Sequence, residues 1–282
     1  MLAVSWAAIF VRLTDAPPLT IGAWRLCLAG AIVLPWALLR HRAELLASTR
    51  RTWLFLFGSG FALALHFGTW IASLKLTTVA SSVALVTTTP VWVAILSGVL
   101  LKERARALTL LAMAVAICGS LLIAGADFAL DAQALRGDAL ALAGAIFGAV
   151  YLTIGRHARN ALGLAPYIGV VYPVAGLSLL AAAVFTGAPL VHFPAQTWLL
   201  FAALAGVPQL IGHSLFNWAL KHTSAGLVSV AILGEPVFST LLAIPILDER
   251  PGWVRAIGGT VVLVGVALAA VSESRRAPPV ID

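Results

Sequence analysis

The chain has 282 residues, 61% of them hydrophobic and 10% charged, with a mean hydropathy of +1.01 and a formal net charge of +7. A soluble domain is about 45–50% apolar and about 25% charged, so this composition excludes a soluble fold. The basic residues fall in short clusters between apolar runs rather than on one face or tail, which excludes a nucleic-acid partner.

Apolar runs of about 20 residues with almost no charge are long enough to cross a bilayer as helices and too uniform for barrel strands. The pattern predicts an all-α polytopic membrane protein with ten transmembrane helices. The spans are roughly 1–12, 18–39, 52–74, 79–101, 105–125, 136–156, 165–187, 196–220, 224–247 and 251–271. The connections are short and rich in proline, glycine or charge, as in "TDAPP", "RHRAELLASTRR", "KERAR" and "DERPG". The first span, "MLAVSWAAIFVR", offers 12 residues where a crossing needs about 20. It has neither the basic start nor the cleavage site of a signal peptide. The expectation is that the natural start lies upstream and that helix one is truncated.

The second span carries Arg25 about seven residues inside its start. The side chain is expected to act structurally, snorkelling toward the outer surface and Asp15 or pairing with a helix carbonyl or an acid. In the third span His66 and Trp70 stand four apart and share a helix face, as do His213 and Asn217 in the eighth. An intramembrane histidine hydrogen-bonds a ligand carboxylate, relays protons, or is satisfied by a backbone carbonyl. No third ligand accompanies the two histidines, so no metal is expected. Cys27 and Cys118 lie inside spans without a C-x-x-C spacing and read as small core residues. Trp53, Trp198 and Trp253 lie at span ends as interfacial anchors, whereas Trp6, Trp92, Tyr151 and Tyr172 lie deeper. Small-residue stretches such as "ALALAGAIFGAV" favour close helix packing and require no oligomer.

The ninth span contains Glu235-Pro236. A central acid costs roughly 2.5–3.5 kcal/mol, so Glu235 must face protein or water. It binds an ammonium group, exchanges protons, or is a structural acid between helices. Shifting the sequence by 146 residues supplies a partner for the proline: Pro90-Val91 falls on Pro236-Val237, Leu74-Lys75 on Leu220-Lys221, Glu103-Arg104 on Glu249-Arg250, Gly60 on Gly206 and Gly119 on Gly265. Glu235 falls on Thr89, so the acid is not repeated. Each proline stands 13 residues before its glutamate, roughly 20 Å of helix. Pro90 and Pro236 are therefore expected as helix kinks at the midplane, freeing the carbonyls of Val86 and Ile232.

Five spans per half is an odd number, so the halves enter the membrane from opposite sides. The expected units are a first repeat at 1–126, an inverted second repeat at 136–271 and a tail at 272–282. Inverted repeats are typical of secondary transporters, whose site lies between the halves near the midplane. With the N-terminus inside, the cytoplasmic segments hold 12 lysines and arginines against 5 outside, which places both termini in the cytoplasm. No G-x-x-x-x-G-K-[ST] run is present for nucleotide use, and no paired nucleophile and base mark an enzyme.

"SWAAIFVR", "PLTIGAWRLCLAG", "TTTPVWVAILSGVLLKER" and "LGEPVFSTLLAIPILDER" together resemble the EamA branch of the drug/metabolite transporter superfamily. The resemblance covers nearly the whole chain. It implies ten helices in two inverted repeats around a cavity lined by the first, third, fourth, sixth, eighth and ninth spans. The "LDER" ending departs from the family, which has glycine before that glutamate. Within the superfamily the chain resembles the bacterial amino-acid exporters, aromatic ones included. The implied function is export of small amphipathic metabolites, amino acids foremost, across the bacterial inner membrane, without a cofactor. The alternatives are efflux of hydrophobic cationic drugs or of purine-type metabolites. The expected substrate-binding residues are Glu235 for an ammonium, His66 and His213 for a carboxylate, and Trp6, Trp70, Trp92, Tyr151 and Asn217 around the remainder.

Overall fold

The computed structural model describes residues 1–77, 79–101, 106–124, 132–247 and 252–274, which are helical with no strand among them. The helices are α1 (Leu2–Leu13), α2 (Pro18–Arg40), α3 (Arg42–Leu46), α4 (Arg50–Leu76), α5 (Val79–Val86), α6 (Thr89–Leu96), α7 (Ala107–Ala124), α8 (Ala132–Ala161), α9 (Leu164–Phe185), α10 (Ala195–Leu204), α11 (Ser214–His222), α12 (Ala225–Ile232), α13 (Glu235–Leu247) and α14 (Trp253–Ser274). A π-helical segment, Ser97–Leu101, extends α6, and a second, Ala205–His213, joins α10 to α11. Among the described residues six helical stretches are long and apolar enough to cross a membrane: α2, α4, α8, α9, Ala195–His222 and Ala225–Ile246. Leu2–Leu13, Thr89–Leu100, Ala107–Leu122 and Ala256–Ser272 are shorter apolar helices.

The distribution of side chains fits lipid as the solvent. Ile32, Leu39, Leu54, Phe61, Val99 and Leu199 are exposed, while alanines such as Ala23, Ala29, Ala141, Ala145 and Ala175 are fully buried. In water such a surface would be one continuous association patch, whereas in a bilayer it is the required outer face. Lipid tails are as apolar as leucine, so helices associate through close packing rather than hydrophobic burial. The glycines show where. A Cβ on Gly30 of α2 would lie 3.1 Å from the backbone nitrogen of Pro173 in α9, and one on Gly176 of α9 would lie 2.8 Å from that of Cys27 in α2. α7 and α14 cross at Gly119 and Gly265. A Cβ on the first would meet the Val262 nitrogen at 2.6 Å, and one on the second the Ala116 nitrogen at 2.7 Å. Gly60 and Gly206, matched in sequence, differ: Gly60 packs against Val174, and Gly206 has nothing within 4 Å.

Polar contacts between connections sort them into two ends. At one end Thr20 and Trp24 of α2 donate to the carbonyls of Pro189 and Leu190, each at 2.8 Å, and Thr77 donates to Asp138 at 2.8 Å. At the other end Glu44 of α3 accepts from the Gly163 amide that opens α9. There the buried Arg159 donates to the carbonyls of Leu162 and Asn217, and Arg156 to that of Leu220. Thr109 meets Ser272 at 2.8 Å.

The fourth and ninth expected spans are not single helices with kinks. Thr87-Thr88 and Leu233-Gly234 are turns, and Pro90 and Pro236 stand in the first turn of α6 and α13. A first-turn proline sacrifices no helical hydrogen bond, so each span is broken and restarted instead of bent. At the first break the Thr88 and Thr89 hydroxyls donate to the carbonyls of Leu85 and Val86, both at 2.7 Å. The Val86 carbonyl that Pro90 frees is taken up by the Thr89 hydroxyl. At the second break Ser239 of α13 donates to the Ser5 carbonyl of α1 at 3.1 Å, and Ser5 donates to the Glu235 carbonyl at 3.4 Å. The Glu103-Arg104 and Glu249-Arg250 helix ends, and the tail from 275 on, lie outside the described residues.

Gly119→Leu and Gly265→Leu each force α7 from α14 and are expected to cost about 1–3 kcal/mol, the usual range for overpacking. Gly206→Ala enters open space and is expected to stay within about 0.5 kcal/mol. Thermal unfolding of the detergent-solubilised protein measures all three, and equal midpoints for Gly265→Leu and Gly206→Ala would contradict the crossing.

Candidate functional site

The two helix breaks face a cavity part-way along the long helices. Val86, Thr87 and Thr89 border it from the first break, Ile232 and Glu235 from the second. α1 contributes Val4 and Ala7, α2 Arg25, α4 His66, Phe67 and Trp70, α8 Gly148, Tyr151 and Leu152, and the π segment with α11 His213 and Phe216. Counted as space open to the centre of a water molecule, its volume is about 60 Å³. Roughly 10–15 Å³ on that measure holds one water, so a handful of small groups fits.

Arg25 is the most constrained residue in this wall. It is 0% exposed, so it does not snorkel to the surface or reach Asp15. α2 turns this face toward α4 and the π segment, where Arg25 Nε donates to Gln209 Oε1 at 2.8 Å. The guanidinium carbon lies 4.0 Å from the centroid of the Phe67 ring, a cation–π contact of about 0.5–2 kcal/mol. Nη1 and Nη2 have no hydrogen-bond partner. A buried donor left unpaired costs about 1–3 kcal/mol. Glu235, half-buried on the same cavity, forms no ion pair with Arg25.

A chain of buried hydrogen bonds runs behind the wall. Tyr151 donates to Asn217 Oδ1 at 2.8 Å, Asn217 Nδ2 donates to the Tyr172 hydroxyl at 3.2 Å, and that hydroxyl meets Ser214 Oγ at 3.1 Å. Ser214 Oγ donates to the Gln209 carbonyl at 3.4 Å, so α8, α9, α11 and the π segment are joined to the residue that holds Arg25. Nearby, Ser59 and Tyr167 share a hydrogen bond of 2.6 Å.

Of the residues expected from sequence, Glu235, His66, His213, Trp70 and Tyr151 line the cavity. His66 and Trp70 stack with ring planes 6° apart. His66 Nδ1 lies 2.8 Å from the Gly144 carbonyl. A carbonyl only accepts, so Nδ1 carries the proton, and a neutral His66 has only an acceptor left at Nε2. That arrangement does not suit the expected hydrogen bond to a carboxylate. His213 packs edge-on against Phe67 and Phe216.

Asn217, Trp6 and Trp92 are not in the wall. Asn217 is buried one layer behind Tyr151, where its amide is taken up by the Tyr151 and Tyr172 hydroxyls. Trp6 stacks on Phe10 at 5.2 Å. Trp92 packs half-buried against the core, with its indole N–H unpaired. Sequence reasoning missed Arg25 as a wall residue, together with Phe67, Phe216, Thr87, Thr89 and the supporting Gln209. The available signal was one uncompensated cation in the second span and one amide in "AGVPQLIGH". Among the described residues no group of three His, Cys, Asp or Glu could hold a metal ion.

Asn217→Leu removes the link between two buried phenols and is expected to cost about 1–2 kcal/mol, the scale of hydrogen bonds between membrane helices. Tyr151→Phe breaks one of the two bonds and is expected to cost less. Thermal unfolding of the solubilised protein compares them, and no loss in Asn217→Leu would remove the network as a stabilising feature.

Comparison with known proteins places this geometry in a family. The fold is shared with a solved crystal structure aligned over 97% of this chain and 94% of that one, with a TM-score of 0.80 and 24% sequence identity. An uncharacterized transporter of Archaeoglobus fulgidus is 24% identical over 273 residues, covering 93% of this chain and 92% of its own length. A probable terminal-alkyne amino-acid exporter of Streptantibioticus cattleyicolor is 38% identical over 109 residues, a match spanning 36% of this chain and 37% of that relative. The sequence profile of the EamA-like transporter family matches residues 1–125 and 135–271, and with helices of membrane-spanning length around a cavity that holds Arg25 and Glu235, the chain belongs to the EamA-like transporter family.

Proposed function

We propose that this protein is a secondary transporter that exports small amphipathic metabolites, amino acids foremost, across the bacterial cytoplasmic membrane. The halves 1–126 and 136–271 act as inverted five-helix repeats, and alternating access comes from rocking them about the cavity. The observation that carries this reading is the cavity between the two helix breaks, with an acid and aromatic rings in one wall. Irregular backbone at membrane depth is tolerated where it lines such a cavity. The name of the Streptantibioticus relative supports amino acids as the substrate class, and the small volume suits short side chains.

In this reading Glu235 takes the substrate ammonium, and Trp70 and Tyr151 with Phe67 and Phe216 enclose the side chain. Efflux of hydrophobic cationic drugs is the weaker reading, because Arg25 in the same wall repels a cation. Transport draws on a gradient or runs as facilitated diffusion.

The protein reconstituted in liposomes is expected to exchange labelled propargylglycine, a small terminal-alkyne amino acid. Glu235→Gln is expected to lower the flux by roughly tenfold or more, as removing a charged partner costs about 1.5–3 kcal/mol. No flux of any amino acid in a panel would reject the substrate class, and a flux independent of pH would remove the proton-exchange role from Glu235. For topology, Val191→Cys and Leu46→Cys, both at exposed positions, are introduced after replacing Cys27 and Cys118 by alanine. An impermeant maleimide is expected to label Val191→Cys in intact cells and Leu46→Cys only after permeabilisation, and the reverse pattern would invert the orientation.

A further inference from the structure

We infer that Arg25, held by Gln209 and sharing the cavity wall with Trp70, is a carboxylate-recognition point. This inference rests on reading the cavity as the substrate site and names the group that the substrate must present there. Three buried nitrogens in this region have no partner: Arg25 Nη1 and Nη2 and Trp70 Nε1. All three are donors. Guanidinium and indole nitrogens cannot switch role, so what satisfies them must bring acceptors. Arg25 and Trp70 both line the cavity, and both touch Phe67: Arg25 lies over its ring, and the Trp70 ring centroid is 6.3 Å from it.

The orientation of the guanidinium follows from its one hydrogen bond. Only an acceptor can face a guanidinium N–H, so the Gln209 amide turns Oε1 toward Nε. With Nε engaged, the Nη1/Nη2 end is left for a ligand, and that fork matches the two oxygens of a carboxylate. Phe67 covers one face of the guanidinium and limits it to in-plane partners. Gln209 is itself restrained, since its carbonyl accepts from Ser214 at the end of the tyrosine–asparagine chain. It is a positioning residue, and Arg25 and Trp70 are the ones that touch the ligand.

Mutual neutralisation is the rival role for Arg25 and Glu235. They border one cavity and lie within each other's field without forming a direct ion pair, so there is room for a ligand between the two charges. A ligand with a carboxylate at Arg25 and an ammonium at Glu235 satisfies both. A neutral His66 does not compete for the carboxylate, because its one proton is given to the Gly144 carbonyl.

The test is binding to the purified full-length protein in detergent, read as ligand-dependent thermal stabilisation. The probe is sodium 4-pentynoate, which has a carboxylate and no amine, with sodium chloride at equal concentration as the reference anion. The wild type is expected to be stabilised by 4-pentynoate beyond chloride. In Arg25→Gln the half-saturating concentration is expected to rise roughly tenfold or more. In Gln209→Leu it is expected to rise by less, because Arg25 remains but loses its orientation. Trp70→Phe removes one N–H and keeps a ring, and is expected to weaken 4-pentynoate severalfold; it decides the matter if Arg25→Gln does not fold. Stabilisation by 4-pentynoate no greater than by chloride, or a response unchanged in Arg25→Gln or Trp70→Phe, would overturn the inference. The readout needs no transport. A protein that binds 4-pentynoate through Arg25 but moves no amino acid in liposomes keeps the recognition point and loses the transport reading. A protein that moves amino acids with 4-pentynoate binding unaffected by Arg25→Gln does the reverse.

Discussion

A guanidinium enclosed at the level of the cavity is the constraint around which the interior is arranged. A charge taken out of water must meet hydrogen-bond acceptors or polarisable groups, or the fold loses several kcal/mol. Arg25 meets one amide oxygen and one aromatic face. Holding that oxygen in place requires Gln209 to be rigid, and Gln209 sits in a π-helical stretch next to Pro208, where the ordinary backbone pattern is interrupted. Ser214, Tyr172, Asn217 and Tyr151 then tie the stretch to α9, α11 and α8. One buried charge thereby sets the relative position of several helices. It does so in a setting where apolar contact alone has little orienting power, since lipid competes equally well for apolar surface.

The breaks at Thr87-Thr88 and Leu233-Gly234 solve a second problem of the same kind. Backbone carbonyls that lose helical partners inside a bilayer need others. The first break uses its own threonine hydroxyls, whereas the second is tied to α1 through Ser5 and Ser239. The proline is common to both and the acid belongs to one, so the matched segments border one cavity with different chemistry. Glu235 opens α13, where helix N-terminal amides favour a negative charge, a placement that Thr89 in the other break does not need.

Much of the architecture was legible in the sequence because lipid imposes a simple rule: about 20 apolar residues between polar turns. The long helices, their short connections and the family resemblance all follow from that rule and from local motifs. Part of the site was legible on the same grounds. Glu235, His66, His213, Trp70 and Tyr151 stand out because polar and aromatic groups inside apolar spans are costly unless they face something. The same logic flagged Arg25 but misdirected it, since a long stem near a helix end can snorkel as easily as turn inward.

The sequence by itself determined the solvent, the approximate spans and the inventory of unusual residues within them. Only the tertiary structure decided which of those residues share a wall. In a bilayer the lipid-facing and packed sides of a helix are both apolar, so hydropathy carries almost no phase. Nothing in the pattern says which face of α2 meets α4, or that Asn217 lies behind Tyr151 and Gln209, in a π-helical stretch, meets Arg25. Those choices follow from which glycines let backbones approach and which donors find acceptors, and both depend on residues far apart in the chain.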